Sequence, residues 1–324
     1  MANIINLLGV DIGGTKCAVV YGIDIDGQIR IEDKVRFDTL DVNQTISRIL
    51  NELKHLCLKY SLNPENTRGI GISCGGPLDS RKGMILSPPN LPGWDNIPIV
   101  QMVKNATGIK ASLQNDANAC AVAEWKYGAG RGTKNMVFLT FGTGLGAGMI
   151  LDGRLYSGTN DFAGELGHIR LADFGPVGYG KAGSVEGFAS GGGIAQLAAT
   201  AVKEKLMMGN KVSWCPNGDI SSITAKEVAE AAKKGDELAI EIYKTSATYL
   251  GKAIAILIDL INPEMIIIGS IFVRAEELIR PFMQAAIDHE ALSGASKVCM
   301  IKPAELSESI GDVAALSLAA NTME

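Results

Sequence analysis

The feature that most restricts this chain is a pattern that occurs twice. Residues 7–27, "LLGVDIGGTKCAVVYGIDIDG", read as a strand, a glycine turn carrying a threonine, a second strand and an Asp-Gly turn. Residues 136–153, "MVFLTFGTGLGAGMILDG", read the same way. Either stretch alone is an ordinary hairpin, because glycine turns are common punctuation. Two of them at corresponding places in two half-chains point to related halves. Length agrees: 324 residues exceed the roughly 250–300 at which a single core stops growing.

Both hairpins are followed by alternating helices and strands. Ile46, Ile49, Leu50, Leu53 and Leu56 recur at helical spacing and predict a helix over 46–60. "RGIGISCGGP" predicts a buried strand ending in a glycine turn, and Pro88, Pro89 and Pro92 make 78–94 a loop. "IPIVQMVKNATG" reads as a short helix, "IKASLQN" as a strand, and a helix follows from about Ala117 to Tyr127. In the second half, 157–193 is glycine-rich and irregular. Helices are predicted over 194–208, 224–234 and 237–260, then a strand over "EMIIIGSIF". A helix over "AEELIRPFMQAAIDHEAL", a strand over "SKVCMIKPAE" and a helix over "DVAALSLAAN" close the chain. Strands alternating with helices in both halves imply an α/β fold.

Composition removes several function classes. Charged residues make up 20% and the net charge is −5, without the basic stripe of a nucleic-acid binder. Six scattered cysteines with no C-x-x-C spacing suit reduced thiols in a cytoplasmic protein. The start, "MANIINLLGVDIGG", lacks a basic leader and reads as a first strand, not a signal peptide. No apolar run reaches the ~18 residues of a membrane span.

The glycine turns are the first candidate site. Glycine lets backbone N–H groups approach an anion, and such concavities bind phosphate. Gly13, Gly14, Thr15 and the adjoining Lys16 would grip one phosphate region, and Gly142, Thr143, Gly144 and Gly146 another. Asp11 ends the strand before the first turn, where a carboxylate makes sense if Mg²⁺ lies between it and a phosphate. No Walker string is present. "GTGLGA" matches a dinucleotide fingerprint but precedes a strand, where the fingerprint must open a helix. The second candidate is "SLQNDANACAVAEW", where Asn115 and Asp116 sit on a strand-to-helix seam. Either residue caps a helix well, so a cap and a functional carboxylate are both open at this point.

Five strings in register, "GVDIGGTK", "QNDANACAVAEW", "TFGTGLGAGMILDG", "GELGHI" and "GSVEGFASG", resemble the ROK family of bacterial sugar kinases and sugar-responsive repressors. The resemblance runs from about residue 7 to the end. It implies the two-lobed actin-like, RNase H-like ATPase fold, with a deep cleft between lobes and the final helix returning to the first. On that reading the lobes are 1–115 plus about 306–324, and 116–305. It further implies ATP-dependent phosphorylation of a hexose hydroxyl with Mg²⁺, and a homodimer or homotetramer. The family's catalytic aspartate falls on Asp116, which would accept the proton of the attacking hydroxyl. Sugar recognition would use Asn90, Asn115, Asp116, Glu165, His168 and Glu186. Gly269 would lie at the adenine.

Two departures stand out. Family members usually follow the "GH" histidine with C-x-C-G-x-x-G-C-x-E and bind zinc there; this chain has "VGYGKAGSVE". Val177, Tyr179 and Ser184 replace three cysteines and leave His168 alone of four ligands, so no zinc is expected. The loop is then expected to be held by its own packing, with Tyr179 as anchor. Second, Ser270 and Ile271 stand in the family's adenine-supporting glycine run, which bears on the identity of the phosphoryl donor.

The leading expectation is therefore a cytoplasmic ATP:hexose kinase that acts on glucose, a related sugar or an N-acetylhexosamine. The alternative is a non-catalytic sugar-binding or sensing protein. A DNA-binding repressor would need a helix-turn-helix ahead of the first strand, which starts within ten residues of Met1. Sugar and nucleotide, not nucleic acid or membrane, are the expected partners.

Overall fold

The structure is a computed structural model and describes residues 4–321. The first half runs β1 (Ile4–Ile12), β2 (Lys16–Ile25), β3 (Gln28–Asp38), α1 (Val42–Lys59), β4 (Thr67–Cys74), the short β5 (Leu78–Asp79) and β6 (Met84–Ile85), α2 (Ile99–Thr107), β7 (Ala111–Asn115) and α3 (Asp116–Tyr127). The second half opens with β8 (Met136–Phe141), β9 (Leu145–Leu151), β10 (Arg154–Tyr156), β11 (Val177–Gly178), β12 (Lys181–Ala182), α4 (Val185–Phe188) and α5 (Gly191–Met207). It closes with α6 (Ala225–Lys233), α7 (Glu237–Ile261), β13 (Met265–Ile268), α8 (Ile271–Glu290), α9 (Ser293–Ser296), β14 (Met300–Pro303) and α10 (Ile310–Ala320).

The duplication read from the hairpins extends to whole sheets. One sheet has the order β3-β2-β1-β4-β7 and the other β10-β9-β8-β13-β14. Numbered within each half, both are 3-2-1-4-5. In both, a meander of antiparallel strands is continued by parallel ones. Central β2 is buried at eight consecutive positions, while the edge strand β3 alternates exposed and half-buried residues. A strand covered on both faces must be apolar throughout; an edge strand with one covered face need not be.

The chain divides into two compact units. The first comprises residues up to Lys134, Gly148–Ala163 and the residues from Glu305 on; the second comprises Asn135–Ala147 and Gly164–Ala304. This differs from a boundary at 115/116, because α3 belongs with the first unit. Its Ala119 and Ala123 pack against Val313, Ala314 and Leu318 of α10. Small residues on both helices let that contact form.

In the first unit α1 covers one face of the sheet with Ile46, Ile49, Leu53 and Leu56, all buried. Asp41 caps it by accepting the N–H groups of Asn43 and Gln44, so the helix begins at Val42, four residues before the predicted start at Ile46. The other face carries α10, whose Leu316 and Ala319 pack on Leu7, Ala18 and Val20. This contact needs a floor of glycines. A Cβ at Gly71 would overlap Ala315 O, one at Gly22 would lie 2.6 Å from Leu316 Cδ1, and one at Gly9 would lie 2.9 Å from Ala315 Cβ.

In the second unit two expectations change. The predicted strand over "EMIIIGSIF" stops at Ile268, and α8 begins at Ile271. Ser270 makes the break with φ +59°, ψ −110°. The "irregular" stretch 157–193 contains the β11–β12 hairpin and α4, and α5 starts inside its glycine run because Ser190 caps it through Gly193 N–H. No helix among the described residues is long and apolar enough to cross a membrane.

The glycine floor gives the first prediction. Gly71→Ala is expected to lower unfolding free energy by about 2–3 kcal/mol, because backbone on both sides must move. Gly75→Ala, where a Cβ meets nothing within 4 Å, should change it by less than about 0.5 kcal/mol. Urea midpoints of the two variants check this.

Candidate active site

Strand register in the first unit assembles one group of candidate residues. Ile12 of β1 lies opposite Cys74 of β4, and Cys74 opposite Asn115 of β7. These are the carboxyl ends of three parallel neighbours, the place where α/β sheets offer ligand sites. Asp11 lies one residue before that row and Asp116 one residue after it. At the seam, Asn115 is the N-cap of α3 and accepts Ala117 N–H at 2.9 Å, while Asp116 Oδ1 accepts the same N–H at 2.8 Å. The cap is thus Asn115, and Asp116 is the first helical residue.

Asp116 is open to solvent, yet protein crowds its carboxyl. That desolvation raises its pKa, against the lowering effect of the Ala117 N–H bond. Asp11 is half-buried. Its pKa is pushed up to about 6, first by burial and then by the charges of Asp116 and Asp312, with Lys34 and Arg36 acting in the opposite direction. Asp312 was not anticipated from sequence. It sits in the first turn of α10, buried, and pairs with Lys34 at 2.6 Å. The neighbouring Gly311 brings the start of α10 to Asp11, where an added Cβ would lie 3.1 Å from Asp11 Oδ2. Only the folded chain brings Asp312 to this place.

The first glycine turn is closed by its own backbone: Gly13 N–H donates to Lys16 O at 3.1 Å. Gly14 faces the "PPNLPGW" loop so closely that a Cβ would lie 2.6 Å from Asn90 O. That loop is anchored by buried Leu91 and Trp94, leaving Asn90 exposed at its tip. Thr15 is exposed, and exposed Lys16 lies 3.7 Å from Asp38. Asp11, Gly13, Gly14, Asn90, Asn115 and Asp116 therefore belong to one unit.

The second unit gathers the remaining candidates. In the β8–β9 turn Thr143 is exposed. Gly191 N–H at the start of α5 donates to Gly142 O at 2.7 Å, and Gly192 N–H to Thr143 O at 3.2 Å. The N–H of Gly146, expected to face phosphate, instead donates to Thr140 Oγ1 at 2.9 Å. It is a strand amide, spent inside the hairpin. Glu186 Oε2 accepts Leu145 N–H at 3.0 Å, and a Cβ at Gly144 would lie 2.6 Å from that oxygen. Glu165 precedes and His168 ends a single 3-10 turn, with His168 N–H donating to Glu165 O at 3.1 Å. Gly167 inside that turn packs on Glu186 Cβ. Glu165, His168, Glu186 and the β8–β9 turn thus form one cluster. Gly269 follows β13, with Ser270 beside Gly142.

The expected anchoring by Tyr179 needs correction. Its ring meets His168 edge-on, with centroids 6.2 Å apart, but Tyr179 is 71% exposed. A residue that open secures little. The three positions where zinc would need sulfur carry an aliphatic chain, a phenol and a hydroxyl, and Ser184 Oγ is engaged in accepting Gly187 N–H at the start of α4. That donor set does not suit zinc. A groove of about 700 Å³ between α5 and α7 is lined by none of these candidate residues.

The sequence pattern of the ROK family matches residues 7–322. The chain belongs to the ROK family. It is 34% identical over 292 residues to a glucokinase of Thermotoga maritima, covering 88% of each chain. Among solved structures it is similar to a ROK family glucokinase from Streptomyces griseus in complex with glucose and AMPPNP, at 27% identity and TM-score 0.76, covering 98% of this chain and 99% of that one. It is also similar to a ROK family transcriptional regulator homologous to the Escherichia coli Mlc protein, at 25% identity and TM-score 0.84, covering 98% of this chain and 78% of that one. The actin-like ATPase fold inferred for this ROK chain is the fold of these neighbours.

The carboxylates give the second prediction. A raised pKa means the fold favours protonated Asp11 relative to the unfolded chain, whose value is near 3.8. The fold therefore loses stability as pH rises from about 4 through about 6, and below pH 4 the group contributes nothing. Asp11→Asn removes this charge. It should stabilise the ligand-free protein by about 1–3 kcal/mol at pH 8 and by almost nothing at pH 3.5. Denaturant titrations at the two pH values measure the difference.

Proposed function

We propose that this ROK protein is a sugar kinase that transfers the terminal phosphoryl group of ATP to a hexose hydroxyl, with Asp116 as the proton acceptor. One observation carries the reading. The folded chain holds Asp116 at the head of α3, solvent-reachable, with a raised pKa. An ordinary carboxylate is a poor base for an alcohol, and desolvation moves it toward a better one. Phosphoryl transfer has a loose transition state, so orientation of the hydroxyl matters more than early proton removal. Asn115, locked as the cap, fixes where Asp116 starts, and α3 fixes where it points.

Asp11 fits a divalent cation. It is a hard oxygen donor in a half-buried place, and after burial itself the charges of Asp116 and Asp312 are what raise its pKa. Bound there, Mg²⁺ would neutralise phosphate charge. Thr15 and the backbone of the two glycine turns would hold the donor's phosphates, and Gly269 would lie under its base. Asn90, Asn115, Glu165, His168 and Glu186 would take the sugar hydroxyls. Carboxylates and an imidazole accept from vicinal hydroxyls, and an epimer that leaves one of them unpaired is rejected. Glucose, a related hexose and N-acetylhexosamines are the substrates to examine first, supported by the likeness to the Thermotoga maritima glucokinase.

ADP release measured over a panel of hexoses and N-acetylhexosamines tests the proposal. Asp116→Asn should reduce kcat by about 10²–10⁴-fold while sugar binding, followed by calorimetry, persists. Binding of sugar without turnover of any donor would instead make the chain a sensor.

A further inference from the structure

The loop that lacks zinc ligands is built as something else. Tyr179 and Gly180 both have positive φ, +44° and +74°, which is the type I′ turn of a tight hairpin. The strands it joins pair only Val177 with Ala182 and Gly178 with Lys181. Beyond them Gly183 N–H donates to Pro176 O at 3.0 Å, and Leu171 N–H to Gly183 O at 2.8 Å ties down the β12 side, but so short a hairpin is marginal in water with its β11 edge open. A further strand would ordinarily complete it. Here one side chain occupies that edge: Gln196 of α5 accepts Val177 N–H through Oε1 at 2.9 Å and donates from Nε2 to Val177 O at 2.9 Å. A carboxamide carries one acceptor and one donor side by side, the same pair that a neighbouring strand presents.

The clasped hairpin bears on two candidate sugar residues. Lys181 Nζ donates to His168 O at 2.7 Å. Gly178 lies against α4 so closely that a Cβ would be 2.8 Å from Glu186 Cβ. Moving the hairpin therefore moves the backbone of His168 and the seat of Glu186. Gln196 touches neither, and it is anchored on a seventeen-residue helix capped by Ser190.

We propose that Gln196 is a positioning residue for sugar recognition, closing through its side-chain amide the loop that carries His168 and Glu186. This rests on the reading that those two residues bind sugar. Both hydrogen bonds are open to solvent, so water competes with them and the effect is moderate. Gln196→Met keeps the length and loses both bonds. It should raise KM for the sugar about 5–20-fold, with kcat within about twofold and with KM for the nucleotide and Tm unchanged. Gln196→Glu retains the acceptor for Val177 N–H and loses the donor, and should fall between Met and wild type. Independently of activity, the Val177 amide should exchange hydrogen faster in Gln196→Met than in wild type. An unchanged sugar KM in an active enzyme, or an unchanged Val177 exchange rate, would overturn the proposal. So would kcat and Tm falling together with binding, since that marks a merely structural role. A wild-type protein that neither binds nor turns over any sugar would overturn the proposed function itself, and with it the sugar role of Gln196.

Discussion

The close approach of α10 to the first sheet is the contact on which the first unit depends. At Gly71 the helix backbone itself lies on the strand, while at Gly9 and Gly22 the Ala315 methyl and the Leu316 side chain fill the space a Cβ would take. Three consequences follow. The helix buries Leu7, Ala18 and Val20 on one sheet face under Leu316 and Ala319. It also gives α3 a partner of alanines, Ala119 and Ala123 against Ala314. Finally, it brings its own first turn, with Gly311 and Asp312, to Asp11. A packing rule for helix on sheet thereby becomes an electrostatic fact about the candidate site.

That electrostatic fact is an imbalance. Burial is the first cause that shifts Asp11 toward the neutral form; the charges of Asp116 and Asp312 add to it, and Lys34 and Arg36 oppose them. Like charges held together by folding cost stability in the empty protein.

The second unit solves a different problem, that of holding a polar loop of little intrinsic stability. A metal does this with four strong bonds in one place. Here the same service is distributed: a type I′ turn, a carboxamide clasp from α5, a lysine on a carbonyl and a serine cap on α4. Each is weak and exposed or local, and together they define one loop geometry.

What sequence alone determined is whatever is local in the chain. The paired hairpins, the helix face of Ile46, Ile49, Leu53 and Leu56, and the strand-to-helix seam at Asn115 and Asp116 depend on residues a few positions apart. Their periodicity or capping chemistry is printed in order. The hairpins pointed only to related halves; the strand order that the two sheets share is a tertiary result. Tertiary structure alone decided the rest. It placed α3 with the first unit, set Asp312 beside Asp11 from the far end of the chain, and ended the "IIIGSIF" strand at Ser270. It spent the Gly146 amide on Thr140, and it gave the anchoring of the altered loop to Gln196 rather than Tyr179. Each of these turns on which atoms meet across a large sequence separation, or on which of several donors a group finds first. A linear pattern holds no record of that, since the same residue types serve equally well elsewhere until packing selects one partner.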